Sequence, residues 1–172
     1  MVGQRKKLPH EIPSWVKDGS IYFITVCSRP KGINQFCHDD IAPWVWTTLD
    51  FREKRGDWWL YLVLLMPDHL HLVWMGLRPD SDQRNGMAFL RTHLEPLLAP
   101  QRFQHQAHDH VLKEEERRRN AFATVCHYLL ANPVRAELVK RPGEWPFNGA
   151  LVPGYPKLHP LQDDFWPKFW KL

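Results

Sequence analysis

The sequence predicts an α+β domain, an antiparallel sheet with helices packed on one face and the other face partly open. Three observations point there. Two apolar, strand-like runs, Trp58 to Met66 and His69 to Met75, are separated only by Pro67-Asp68 and read as an antiparallel pair. Segments with apolar residues at helical spacing flank that pair on both sides. The resulting β-α-β-β-α order, closed by a final helix, suits a sheet with its helices segregated to one face. With 172 residues and 44% hydrophobic content, the chain reads as a single domain, 1–172, long enough to bury a core.

The elements follow in order. Ser20 to Ser28 is rich in β-branched and aromatic residues and stops at Arg29-Pro30, a first strand, after which Lys31 to Phe36 connects. Asp39-Asp40 can cap a helix that runs through Trp44, Leu49 and Phe51 to a stop at Gly56. The paired strands come next, then a polar loop from Arg78 to Gly86, then a helix from Met87 to Leu98 weakened at Pro96. Gln101 to His110 is polar and histidine-rich without a period, with a short strand near His110 to Leu112. Glu114 to Ala131 reads as a third helix with Phe122, Val125 and Leu129 as its core stripe, and Pro133 should end or kink it. The basic N-terminal arm, 1–18, and a Pro- and aromatic-rich tail, 142–172, flank these elements, the tail expected as an ordered wrap over the domain.

Composition narrows the function classes. The formal charge of +4 is compatible with a polyanionic partner without deciding for one. Cys27, Cys37 and Cys126 are few, odd in number and lack CxxC spacing, so neither a disulfide framework nor a cysteine zinc site is indicated and a reducing cytoplasm is expected. The basic N-terminus has no apolar stretch after it, and the longest apolar run falls far short of the roughly 20 residues that span a bilayer, so no membrane partner is expected.

The chemistry-bearing motif is Met66-Pro67-Asp68-His69-Leu70-His71. On a strand, residues two apart share a face, so His69 and His71 project side by side while Leu70 and Leu72 turn toward a core. That is the minimal geometry for two imidazoles to share a metal ion, and also an ordinary pattern for a half-exposed strand. Some sixty residues on stands Cys126-His127-Tyr128-Leu129-Leu130-Ala131-Asn132-Pro133-Val134-Arg135. Taken with Tyr22-Phe23-Ile24-Thr25, His108-Asp109-His110-Val111-Leu112-Lys113 and Glu144-Trp145-Pro146, these ordered blocks resemble the REP-associated tyrosine transposases within the HUH family of single-strand DNA endonucleases.

The resemblance implies a ferredoxin-like sheet with the histidine pair on a central strand and the tyrosine helix across from it. It implies Tyr128 as nucleophile, His69 and His71 as metal ligands, and Asn132 as a helix-borne third ligand. The expected cofactor is Mg²⁺ or Mn²⁺, although mixed nitrogen and oxygen ligands would equally permit zinc. The expected activity is a metal-dependent endonuclease and strand transferase that forms a 5′-phosphotyrosine at REP-type hairpins in single-stranded DNA, in the bacterial cytoplasm and with a monomer favoured over a homodimer. Two readings stand beside it: a non-catalytic single-stranded nucleic-acid-binding module, and a replication or conjugation nickase of the same HUH chemistry, which usually needs a longer chain.

Residue spacing bears on these roles. Tyr128 and Asn132, four apart, share a face of one helix about one turn apart. Tyr128 by itself would pass for a packing residue, and Asn132 before Pro133 for a helix end. His108-Asp109-His110 is a second HxH in a polar stretch, where Asp109 and His110 match recurrent family residues and are expected in a structural or DNA-contacting role. Arg5, Lys6, Lys7, Arg135, Lys140 and Arg141 are candidate phosphate contacts, with solubility as their plain alternative. His127 points about 100° from Tyr128 and is not assigned as its base. The chain departs from the resemblance at Phe103, Ala107, Lys113 and, where Gly commonly follows Arg-Ala, at Glu137; these departures are expected at DNA-handling or packing positions.

Overall fold

A computed structural model describes residues 20–79, 81–112 and 121–151. Six strands form one sheet: β1 (Ile21–Arg29), β2 (Trp58–Met66), β3 (His69–Gly76), β4 (Arg102–Phe103), β5 (His108–Val111) and β6 (Asn148–Leu151). The order is β4-β1-β3-β2-β6, all antiparallel, and β5 shares the outer edge of β1 with β4. The helices are α1 (Ala42–Lys54), α2 (Gln83–Leu98), α3 (Ala121–Leu130) and the single turn α4 (Asn132–Arg135). The α+β class and antiparallel sheet are as the sequence predicts.

The helices do not share one face, which corrects that part of the expectation. Tyr22, Ile24, Val26, Leu70, Leu72 and Trp74 bury one face of the sheet beneath α1 and α2. Phe23, Tyr61, Leu62 and Val73 bury part of the other beneath α3, through Phe122, Cys126, Leu129 and Leu130. Both faces of β2 and β3 are therefore apolar, which explains the unbroken hydrophobic run from Trp58 to Met66. A register shift between Leu60 and Leu62 turns the consecutive Tyr61 and Leu62 to the α3 side and returns Val63 and Leu65 to the other. The main-chain N–H of Leu60 donates to the Glu53 carboxylate of α1, 2.7 Å away.

Boundaries differ where local chemistry decides them. Asp39 and Asp40 do not cap α1, whose N-cap is Ile41 without a side-chain bond; Pro43 in its first turn supplies the start. The second helix begins earlier than expected, at Gln83, because the Asp82 side chain accepts from the Asn85 N–H. The third helix stops at Leu130, and Asn132 falls in the following turn rather than on the same continuous helix as Tyr128. The start of the tail is sheet: β6 pairs with β2, and the Trp145 indole donates to the Leu65 carbonyl at 2.8 Å. Residues 1–18, the Glu114 to Arg119 run and the tail beyond Leu151 lie outside the described residues. No described helix is long and apolar enough to cross a membrane.

Candidate functional site

Pairing of β3 with β1 sets Thr25 opposite His71 and Cys27 opposite His69, on the face that carries α3. His71 is only 8% exposed. Its Nδ1 meets the Thr25 hydroxyl at 2.8 Å and its Nε2 meets the Asn132 amide nitrogen at 3.0 Å. An amide NH₂ only donates, so Nε2 must accept, and the ring proton lies on Nδ1, donated to Thr25. Burial first, then the neighbouring His69 and Arg135, push the His71 pKa down to about 3, which keeps the ring neutral.

His69 is arranged in the same sense by a different partner. Its Nδ1 lies 2.7 Å from Oδ1 of Asp68, whose Oδ2 accepts the Gly32 N–H at 2.7 Å. Burial alone would raise the Asp68 carboxyl, but the His69 hydrogen bond and the Gly32 N–H outweigh it and hold it below the usual range. With Nδ1 donating to that carboxylate, Nε2 is the ring nitrogen of His69 left to ligate. The two rings stand edge to face, 4.9 Å between centroids.

Asn132 links this pair to the tyrosine. Its Oδ1 accepts from one Nη of Arg135, while the other Nη donates to the Tyr128 carbonyl at 3.0 Å. The Arg135 guanidinium carbon rides 3.9 Å from the centroid of the Tyr128 ring. Tyr128 is 61% exposed, and among the described residues it is the Arg135 guanidinium that stacks on its ring, beside the histidines' neighbour.

The remaining expected residues are dispersed. His108 and His110 are exposed on β5; His108 lies across β1 from His71, with Thr25 between, about 10 Å from it at strand spacing. Asp109 pairs with Ile24 through the backbone. Lys140 is exposed, and Arg141 is held by Glu144 at 2.8 Å. Arg5, Lys6 and Lys7 lie outside the described residues. Thr25 and Asp68 were missed as contributors: both lie inside matched blocks, but only strand pairing brings Thr25 to His71.

The donor set suits a divalent cation in one respect and leaves it open in another. Nδ1 of each histidine is engaged, by Thr25 or by Asp68, which directs Nε2 as the ligating nitrogen; Nε2 of His71 accepts from the Asn132 amide here and would have to give up that bond to ligate. Among the described residues, no three His, Cys, Asp or Glu side chains gather as a metal group. A third protein donor would be the Asn132 carbonyl oxygen, which here faces Arg135 and would have to turn over.

No protein-family model matches this chain, and no curated protein does. Among solved structures, a REP-associated tyrosine transposase bound to a REP hairpin shares its fold, with a TM-score of 0.64 over 82% of each chain at 17% identity. The antiparallel sheet with its helices is the fold of that transposase.

Proposed function

We propose that the protein is a metal-dependent endonuclease and strand transferase of single-stranded DNA, acting at REP-type hairpins through Tyr128. The observation that carries this reading is the tautomer-locked pair His69 and His71 joined through Asn132 and Arg135 to an exposed tyrosine. The fold shared with a transposase bound to a REP hairpin supports it.

The chain's own groups have separable tasks. His69 and His71 would hold the ion, with Asn132 joining once its amide turns over. A divalent cation bound there supplies charge that polarises a phosphate oxygen and offsets developing negative charge. Arg135 fixes the Tyr128 ring. The Tyr128 hydroxyl attacks phosphorus; the bond from phosphorus to the 3′ oxygen breaks, the phenol proton passes to water, and the leaving oxygen takes a proton from water. A 5′-phosphotyrosine and a 3′-hydroxyl result. One phosphodiester replaces another, so the step is reversible and strand transfer needs no external energy source.

A labelled REP-type hairpin with Mn²⁺ or Mg²⁺ should give a covalent protein–DNA adduct that Tyr128→Phe abolishes without loss of hairpin affinity. An undiminished adduct in that variant removes Tyr128 from the role. The rival reading, a binding module without catalysis in which Asn132 only bridges His71 and Arg135, predicts affinity with no adduct and no ion bound to the histidines.

A further inference from the structure

We propose a phosphodiester-binding cleft at the β1–β4 end of the sheet, in which Arg29, Lys31 and Arg102 grip the DNA backbone next to the histidine pair. This rests on the DNA reading above and names a contact surface that reading does not contain. A cavity of about 580 Å³ is lined by Arg29, Pro30, Lys31, Pro100, Arg102 and Gln104. Three of the six are cations and none is acidic. Among the described residues, none of the three cations enters an ion pair, whereas Arg52, Arg55 and Arg78 all converge on Asp57.

Strand register sharpens the point. Arg29 and Arg102 are direct cross-strand partners on the antiparallel pair β1 and β4. Like charges set opposite each other in this way destabilise a sheet, and no carboxylate in the lining relieves them. A phosphate between two guanidinium forks reverses the sign of that interaction. Pro30 and Pro100 bring no N–H to the cavity, so side chains have to supply most of the anion's hydrogen bonds.

The cleft also adjoins the candidate site through the backbone. Arg29 lies two residues beyond Cys27, the register partner of His69, about 7 Å along the strand. Lys31 precedes Gly32, whose N–H holds the Asp68 carboxylate that orients His69. A single strand whose phosphate reaches the histidines can lay a neighbouring phosphate in the cleft. An acidic protein segment offers the same charge without the regular phosphate spacing, and the nucleic acid is the occupant this position favours.

The test uses the full chain and a fluorescent single-stranded oligonucleotide carrying a REP-type hairpin, titrated across salt concentrations. Arg29→Gln, Lys31→Gln and Arg102→Gln should each make the salt dependence shallower by about 0.7 of a slope unit, while the paired Lys54→Gln on α1 leaves it unchanged. Without DNA at low ionic strength, Arg102→Gln should melt at a higher temperature than wild type, a sign that a purely structural arginine would not give. A wild-type slope in the triple variant overturns the cleft, even if the Tyr128 adduct forms. Binding with the expected slope changes but no adduct refutes the enzyme reading and leaves the cleft standing. Tighter binding of polyglutamate than of the oligonucleotide at equal ionic strength also overturns it.

Discussion

Thr25 acts on the candidate site through one hydrogen bond, which occupies Nδ1 of His71 and leaves Nε2 as the nitrogen the proposed ion would use. Thr25→Val keeps shape and strand propensity but removes the acceptor for Nδ1–H. Mn²⁺ affinity, read by calorimetry, is expected to fall about tenfold, the usual scale for losing an outer partner of a ligating histidine. Unchanged affinity would mean that the imidazole needs no such orientation. Arg135 was expected from sequence among the phosphate contacts; in the structure both its terminal nitrogens are committed to Tyr128 and Asn132. Arg135→Lys keeps the charge and loses the fork and the planar stacking. The rate of adduct formation at saturating hairpin should drop by about tenfold, with affinity and salt slope little changed. A reduced affinity at an unchanged rate would restore the backbone-contact role.

At the scale of elements, the end of α4 shows how one departure from the resemblance acquires a physical meaning. Glu137 adopts φ +58°, the left-handed conformation that closes a helix, and its N–H and that of Leu138 bond back to Val134 and Pro133. This departure was expected at a DNA-handling or packing position; its φ makes it instead a backbone position that favours glycine. Glu137→Gly should stabilise the fold by up to about 1 kcal/mol in chemical denaturation, since a Cβ in this conformation is penalised. A loss of stability would show that the Glu137 side chain contributes more than the strain costs. Element boundaries were legible where a local signal acts alone, as in the Pro67-Asp68 turn. They were not legible at α2, where the Asp82 cap extends the helix into a stretch that composition marks as loop.

At the scale of the whole molecule, two buried groups on opposite sides of the sheet set opposing pH dependences. Burial raises Glu53 from 4.5 to about 7, against the Leu60 N–H, which lowers it. A carboxyl with a raised folded pKa contributes stability below pH 4.5 that is lost as pH rises through about 7. His71 runs the other way: with its pKa lowered from 6.5 to about 3, its contribution is present above pH 6.5 and lost as pH falls through about 3. Each changes stability by at most about 1.4 kcal/mol per pH unit, and between pH 4.5 and 6.5 they oppose each other in the metal-free protein. Glu53→Gln should therefore expose a stability that climbs with pH up to about 6.5, and His71→Asn one that declines from 4.5 toward 7, as denaturant midpoints would report. Parallel profiles in all three proteins would show that neither group is coupled to folding.

The sequence by itself determined the α+β class, the hairpin of β2 and β3, and the projection of His69 and His71 to one face, because each follows from local periodicity and turn chemistry. It placed Tyr128 and Asn132 on one continuous helix, which the break after Leu130 corrects. Which face of the sheet α3 covers, and the union of Thr25 with His71 and of Arg29 with Arg102, were decided only by tertiary structure. Strand pairing across long sequence separations leaves no local signature. An apolar run such as Trp58 to Met66 announces burial on both sides without saying which helix lies on which, and the bulge near Leu60 changes the facing of its residues without a glycine or proline to mark it.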